Sequence, residues 1–175
     1  QDDFPDETGE GTASLSSLTI ESFEIVVNRS GRAEMLTEAD FMVDIRELSS
    51  GQIVQSFLSF TEVPENVTLP VGNYRVEIYN RVFTTAEFNA PLIAGSSDFI
   101  IENFTNTPIS VTVSPSNFGV VVEYSDNVIS NFSDYETTVS NPSGTLIYNT
   151  LSTDAGFFSV DPLDVGINLS IQNSL

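Results

Sequence analysis

Residues 67–80 contain two short strands joined at a Pro-x-Gly corner, and they constrain the fold more than any other stretch. Pro70 has a fixed φ and no amide hydrogen, so it can end a strand without leaving an unpaired donor. Gly72 can adopt a positive φ that the turn would need. Beyond the corner, the side chains form two alternating sets: Tyr74, Val76 and Ile78, and Arg75, Glu77 and Tyr79. This period of two residues predicts a half-buried strand at about residues 73–79.

The same alternation of apolar runs and turn residues recurs along the chain and predicts an all-β fold. Residues 33–48 are ambiguous, with helical spacing first and strand alternation later, but a Ser-Ser-Gly-Gln hairpin turn follows them. This turn favours a strand over about residues 40–47, preceded by a short helical turn. The connection over residues 89–97 is predicted to be irregular. Further strands are predicted at residues 13–27 (one bulged strand or two short ones), 53–58, 67–69, 99–101, 109–113, 119–124, 135–140, 146–150, 157–160 and 167–171. Strands at this spacing indicate a β-sandwich.

Turn-rich and charged stretches divide the chain into three parts. Residues 1–12 are acidic and rich in turn formers, which predicts a flexible, solvated tail. Residues 13–114 form the predicted β-sandwich domain, and a Ser-Pro-Ser-Asn break separates them from a smaller β unit at residues 115–175. A unit of that size buries little of its surface. It must pack on the first domain, accept a strand from elsewhere, or continue in a longer chain.

The charge balance excludes one class of partner. The net charge is −20, and the five basic residues are all arginines that precede residue 82. Such a surface repels nucleic acid and anionic lipid headgroups. No apolar run is long enough to span a bilayer, so we expect membrane contact only through an N-terminal lipid anchor.

Missing residue types remove most enzyme chemistry. The sequence has no His, Lys, Cys or Trp. Ser–His and Cys–His pairs, Schiff-base lysines and zinc sites built on imidazole or thiolate are therefore excluded. A glycosidase needs only two carboxylates, but with 25 acidic residues some pair always lies at a workable distance, so this signal is empty. We therefore predict that the protein is not an enzyme and has no cofactor other than, at most, Ca²⁺.

Two sets of residues are candidate sites. Asp126, Asp134, Asp161 and Asp164 lie in loop-like segments without nearby bases, and such oxygen-rich loops can bind Ca²⁺, although solvated acids give the same pattern. The tyrosines could line a binding face or pack in the sandwich: Tyr74, Tyr79, Tyr124, Tyr135 and Tyr148. Tyr79 is out of phase with its apolar neighbours and is the tyrosine expected to face outward.

Five stretches share a recognisable turn and strand spacing: Gly9-Glu10-Gly11-Thr12, Phe41-x-Val43-x-Ile45, Leu69-Pro70-x-Gly72-x-Tyr74, the Ala90-Pro91 to Gly95 segment ahead of Phe99, and Phe132-x-Asp134-Tyr135 with Val139. Together they resemble a Bacteroidales family of uncharacterised surface lipoproteins, which is similar in pattern to the fimbrillin-like proteins of the same bacteria. The resemblance implies transthyretin-like or immunoglobulin-like β-sandwich modules, export as a lipoprotein, and a structural or adhesive role. It transfers no catalytic residue.

The same resemblance implies one processing site. In fimbrillin-type pilins, cleavage at an arginine can free a groove for a donor strand. Arg29 and Arg32 lie in the loop after the first predicted strand, where such a cut would fall. An ordinary solvated loop arginine is the alternative.

Two hypotheses of function follow. The first is a non-enzymatic cell-surface lipoprotein with a structural or adhesive, fimbrillin-like role, which predicts unpaired strand edges and strand-donated assembly. The alternative is a glycan-binding envelope lipoprotein, which predicts an exposed cluster of aromatic and carboxamide side chains. Both place the protein in the bacterial cell envelope, at the outer membrane or cell surface. Its anchor would be a lipidated cysteine just before Gln1, and its partner a protein or glycan of the cell surface.

Overall fold

The computed structural model describes residues 9–18, 20, 23–26 and 33–171, and their regular secondary structure is mainly β-strand. The strands are β1 (Glu10–Ser14), β2 (Phe23–Val26), β3 (Ala33–Leu36), β4 (Met42–Glu47), β5 (Ile53–Phe57), β6 (Asn66–Pro70), β7 (Gly72–Tyr79), β8 (Glu87–Phe88), β9 (Ile93–Ile101), β10 (Asn106–Pro108), β11 (Ser114–Pro115), β12 (Phe118–Val120), β13 (Phe132–Asn141), β14 (Gly144–Asn149), β15 (Gly156–Phe158) and β16 (Asp164–Ile171). The predicted all-β class is confirmed, and the arrangement of the sheets is sandwich-like.

Within the described residues, helical structure is confined to short pieces. The helix α1 spans Asp126–Asn131, and two 3-10 turns span Glu38–Asp40 and Phe60–Glu62. In the part of the chain that the structure describes, no helix is long and apolar enough to cross a membrane. The turn before β4 is the short helical turn expected there, and it begins where the Thr37 N–H donates to the Asp40 carboxylate at 2.8 Å.

The chain forms two compact units. Among the described residues, unit 1 contains residues 9–18 and 20, Leu36–Arg81 and Ile93–Ser114. Unit 2 contains residues 23–26, 33–35, Val82–Leu92 and 115–171. The chain passes for the last time from unit 1 to unit 2 after Ser114, at the predicted boundary. The units differ from the predicted domains because residues 82–92, β2 and residues 33–35 of β3 group with the C-terminal part of the chain.

Unit 1 has two sheets. The first has the order β10-β1-β6, in which β1 runs parallel to β10 and antiparallel to β6. Residues 10–12, which were expected to belong to the flexible tail, therefore lie in the central strand of this sheet. The absence of a side chain at Gly11 explains this, because a Cβ there would meet the backbone oxygen of Glu102 and the side chain of Ile101. Residues 1–8 lie outside the described residues.

The second sheet of unit 1 has the order β9-β7-β4-β5, with β11 on the outer side of β9 where the chain leaves the unit. β4 and β5 form the predicted hairpin, and Gly51 in its turn has a φ of 69°. Both sheets of unit 1 contribute fully buried side chains, among them Ala13 and Leu69 from the first and Phe41, Val43, Ile45, Val76 and Ile78 from or beside the second.

The alternation predicted for β7 is confirmed, since Tyr74, Val76 and Ile78 are all buried. The predicted role of Gly72 is wrong, because among the described glycines only Gly51 and Gly144 have a positive φ. At Gly72 the Tyr74 ring is the constraint, because it would lie 3.3 Å from an added Cβ. The Tyr74 hydroxyl then closes the corner by donating to the Pro70 carbonyl at 3.0 Å.

Two stretches of unit 1 differ from the sequence prediction. β9 begins at Ile93, so much of the connection predicted to be irregular at residues 89–97 is a strand, paired residue by residue with β7. Residues 109–113, predicted to be a strand, are not in one; the strand is β10, just before them. Ile109 and Val111 are nevertheless buried, and the Ile109 N–H donates to the Ser14 carbonyl of β1 at 2.9 Å, beyond the last paired residue of β10.

Unit 2 contains two three-stranded sheets that face each other, with orders β12-β15-β8 and β14-β13-β16, and β2 and β3 form a separate two-stranded sheet. Its core forms where Val139 and Tyr148 of one sheet meet Phe158 of the other. Further apolar side chains pack around this centre, namely Ala86, Phe88, Phe118, Val120, Val122, Leu146 and Leu163. The strands predicted near residues 135–140, 146–150, 157–160 and 167–171 correspond to β13–β16, whereas that predicted at 119–124 is only the short β12.

Candidate functional site

The structure places Tyr79 on the outer face of the second sheet of unit 1, where its hydroxyl is already engaged. That hydroxyl donates to the Asp44 carboxylate at 2.6 Å, and the Ser56 hydroxyl donates to the other Asp44 oxygen, also at 2.6 Å. Asp44 is only 4% exposed. Burial, with the hydrogen bond to Asp44, raises the pKa of Tyr79 to about 12. Tyr79 is thus half-buried, and its polar tip holds a buried carboxylate.

Ion pairs occupy the rest of this outer face. The Arg46 guanidinium lies 3.2 Å from the Glu77 carboxylate on the neighbouring strand. Arg75 forms a two-pronged pair with Asp98, with distances of 2.5 and 2.9 Å, and its hydrogen bond to Asp98 lowers the pKa of that carboxyl group. Arg75 and Asp98 lie directly opposite each other on β7 and β9, whereas Arg46 reaches Glu77 diagonally from β4 to β7.

The other tyrosines contact their neighbours within the fold. The Tyr124 hydroxyl donates to the Tyr148 carbonyl at 2.9 Å, and the Tyr148 hydroxyl donates to the Val120 carbonyl at 3.0 Å. Tyr135 stacks at an angle on Tyr124, with ring centroids 4.4 Å apart. These positions fit the packing role that the sequence left open for the tyrosines.

The four aspartates proposed for Ca²⁺ lie on different elements. Asp126 begins α1, Asp134 lies in β13, and Asp164 begins β16, whereas Asp161 accepts a hydrogen bond from the Ser159 hydroxyl at 2.7 Å. Across residues 9–18, 20, 23–26 and 33–171, no three acidic residues are grouped closely enough to hold a metal ion. The arginines proposed for processing, Arg29 and Arg32, lie outside the described residues.

The feature of unit 2 most suited to an interaction is the strand β16. It is the outer strand of its sheet, and no strand of the described chain pairs with its far side. Val165 and Ile167 of β16 lie directly opposite Val139 and Thr137 of β13. Partners in an antiparallel pair project from the same face. The inner face of the sheet therefore continues from β13 onto β16.

The side chains on this inner face are buried on β13 but not on β16. Val139 and Thr137 are buried, whereas Val165 is 60% exposed and Ile167 is 64% exposed. Leu163, just before β16, still packs against the core centred on Val139, so the cover from the facing sheet ends between Leu163 and Val165. We call Val165, Ile167 and the free side of β16 the open edge.

The opposite edge of the same sheet is better protected. The Tyr148 carbonyl in β14 accepts a hydrogen bond from the Tyr124 hydroxyl at 2.9 Å. The Ser143 carbonyl just before β14 accepts one from the Ala86 N–H, also at 2.9 Å. Free strand edges next to exposed apolar side chains readily pair with another chain, and proteins usually block them with charges, proline or a covering element. The open edge carries Asp164 at its start but no such block at Val165 or Ile167.

The charge around the open edge has one sign. Asp164 begins β16, and Asp134 and Glu136 lie on the neighbouring strand β13. None of the residues of unit 2 that the structure describes is basic, so no positive charge among them offsets these carboxylates. The open edge therefore favours a neutral or basic segment over an acidic one.

Sequence reasoning did not identify Val165 or Ile167 as site residues. The apolar alternation of β16 is visible in Val-Gly-Ile-Asn-Leu and predicted a strand there. Such alternation normally indicates a buried face. The exposure of this face follows from the limited extent of the opposite sheet, which no local pattern reports.

Comparison with known proteins gives one informative result. No curated protein and no solved structure matches this chain. A family model described as "Domain of unknown function (DUF4493)" matches residues 9–174, which is nearly the whole sequence, and the chain therefore belongs to this DUF4493 family.

Proposed function

We propose that this chain is a non-enzymatic structural or adhesive module of the bacterial cell surface, and that its open edge accepts a β-strand from a partner protein. The observation that carries the proposal is the exposure of Val165 and Ile167 on the face where their neighbours in β13 are buried. Strand addition would extend the hydrogen-bond ladder of β16 and place alternate side chains of the partner beside Val165 and Ile167.

The residue inventory supports a role without chemistry. A chain without His, Lys or Cys lacks the usual nucleophiles and bases, and it retains chiefly carboxylates and hydroxyls. Strand addition requires none of the missing groups, because backbone N–H and C=O groups supply most of the affinity.

The partner strand should be neutral or basic, with apolar residues at alternate positions. A second copy of this chain carries a net charge of −20 and is repelled at low salt, although high salt would screen that repulsion. We therefore favour a different protein over self-assembly.

The surface location follows from the resemblance to fimbrillin-like lipoproteins. We propose that a lipid anchor tethers the module to the outer membrane. Mass spectrometry of the native N-terminus tests this, and an unmodified N-terminus would refute the anchor without affecting the open edge.

Site-specific photo-crosslinking in the native host tests the open edge. A photo-reactive amino acid at position 167 should give discrete crosslinked products. The same group at position 147 is the control, because Ile147 is 50% exposed on the other face of the same sheet. An Ile167→Asp substitution should abolish partner binding without unfolding the protein, since this side chain is already exposed.

Equal crosslinking at positions 147 and 167, or none at position 167, would contradict the proposal. Crosslinks that join two copies of this chain would contradict a different partner protein and would show self-assembly instead.

A further inference from the structure

Phe104 is the most exposed large apolar residue of the described chain, and its backbone is in an unfavourable conformation. Its side chain is 93% exposed, and its φ is 57°. Apart from glycine, mainly Asn and Asp adopt this left-handed conformation, and a bulky aromatic residue there is a genuine outlier. Position 104 thus combines backbone strain with an exposed aromatic ring, and neither helps the fold.

The turn that presents Phe104 is held firmly on both sides. The Phe104 N–H donates to the Glu10 carbonyl at 2.9 Å, and the Thr12 N–H donates to the Thr105 carbonyl at 2.8 Å. The Thr105 hydroxyl closes the turn by donating to the Glu102 carbonyl at 2.8 Å. Backbone strain persists only where surrounding contacts enforce it, and it occurs preferentially at functional positions.

Beside the ring is a cleft of about 380 Å³ on the outer face of the sheet β10-β1-β6. Asn106, Thr12 and Thr68 are in register across the three strands and form a polar row along this cleft. Glu10 lines the same cleft near Phe104. An aromatic ring therefore stands at the rim of a floor that offers hydroxyl, carboxamide and carboxylate groups.

This combination has the chemistry of a carbohydrate site. The apolar face of a sugar ring can pack on an aromatic side chain while its hydroxyl groups bond to the polar groups around it. A purely apolar ligand would leave the polar row unsatisfied, and an anionic ligand would be repelled by Glu10 and by the net charge of −20.

We propose that the Phe104 cleft binds a neutral carbohydrate. Phe104 supplies the packing surface, and Thr12, Thr68 and Asn106 supply hydrogen bonds to the sugar hydroxyls. The site lies wholly within unit 1 and is independent of the open edge in unit 2, so either proposal can fail alone.

The test is an array of neutral oligosaccharides of hexoses and N-acetylhexosamines, with sialylated and sulfated glycans alongside. We expect binding to neutral glycans and none to anionic ones. Two-dimensional NMR of the ¹⁵N-labelled protein with the best neutral glycan should shift the amides of Thr12, Thr68 and Asn106.

Phe104→Asn should weaken this binding about tenfold or more. It should not lower the melting temperature, because Asn tolerates the left-handed conformation. Leu58→Asn is the matched control in the same unit, since Leu58 is also exposed, at 79%, and it should leave glycan binding unchanged. Ile167→Asp at the open edge should also leave it unchanged.

No binding to any neutral glycan by the wild-type protein would overturn the proposal. So would unchanged affinity in Phe104→Asn, or amide shifts that lie away from the cleft.

Discussion

Tyr148 is expected to join the two sheets of unit 2 through its hydroxyl group. Its ring is 1% exposed and packs edge-on against Phe88, with centroids 5.1 Å apart. The hydroxyl donates to the Val120 carbonyl of β12 at 3.0 Å and accepts the Gly156 N–H of β15 at 3.1 Å. A single atom in β14 therefore binds two strands of the facing sheet.

Tyr148→Phe removes this atom and keeps the ring. The buried Gly156 N–H and the partly buried Val120 carbonyl then lose this partner. Because leaving a buried polar group unsatisfied costs about 1–3 kcal/mol, we expect the free energy of unfolding to fall by about 2 kcal/mol. For a chain of 175 residues, that loss lowers the melting temperature by about 4–8 °C.

Urea unfolding followed by circular dichroism measures the loss. Tyr135→Phe is the matched control, because Tyr135 is also buried but its hydroxyl makes no hydrogen bond among the described residues. We expect the control to change the unfolding free energy by less than about 0.5 kcal/mol. An equally small change in Tyr148→Phe would refute the reasoning. It would mean that the Gly156 N–H bonds directly to the Val120 carbonyl once the hydroxyl is gone.

Three further predictions concern pH and stability. The pKa values of Tyr79 and Tyr148 are raised from 10.0 to about 12, so both stabilise the folded state fully below pH 10.0 and lose that contribution as the pH rises towards about 12. A tyrosinate absorbance titration of the native protein should show late groups that are absent in urea, namely these two and Tyr74, whose pKa is also raised by burial. Tyr79→Phe leaves the buried Asp44 carboxylate with only the Ser56 hydroxyl and should lower the unfolding free energy by about 1.5–3 kcal/mol, whereas an unchanged urea midpoint would show that Asp44 finds another donor. Gly11→Ala forces a methyl group against the Glu102 carbonyl and should destabilise the protein by about 1–3 kcal/mol, and a midpoint at or above that of the wild type would contradict the close approach.

Strands whose burial follows their own alternation could be predicted from sequence. β7 is the clearest example, because Tyr74, Val76 and Ile78 are buried as their spacing requires. β9 could not be predicted in full, because its first half contains the small residues Ala94, Gly95 and Ser96, which carry little strand propensity. Pairing with β7 makes this segment a strand, and that partner is non-local.

The candidate sites were less accessible to sequence reasoning. The φ of Phe104 is enforced by its hydrogen bond to Glu10, which lies more than 90 residues away in the chain. The exposure of Ile167 depends on how far the facing sheet extends. Tyr79, by contrast, was correctly placed out of phase with its apolar neighbours, but its bond to Asp44 required knowledge of the pairing between β4 and β7.

The position of β1 between two late-arriving partners affects how the chain folds during synthesis. β6 is made some 50 residues after β1, and β10, which runs parallel to it, some 90 residues after. At about 5–20 residues per second, translation leaves β1 without its full set of neighbours for roughly 5–20 s. β1 is thus made long before it gains its full set of partners, and a chaperone that shields nascent extended segments could act on residues 10–14 during that interval.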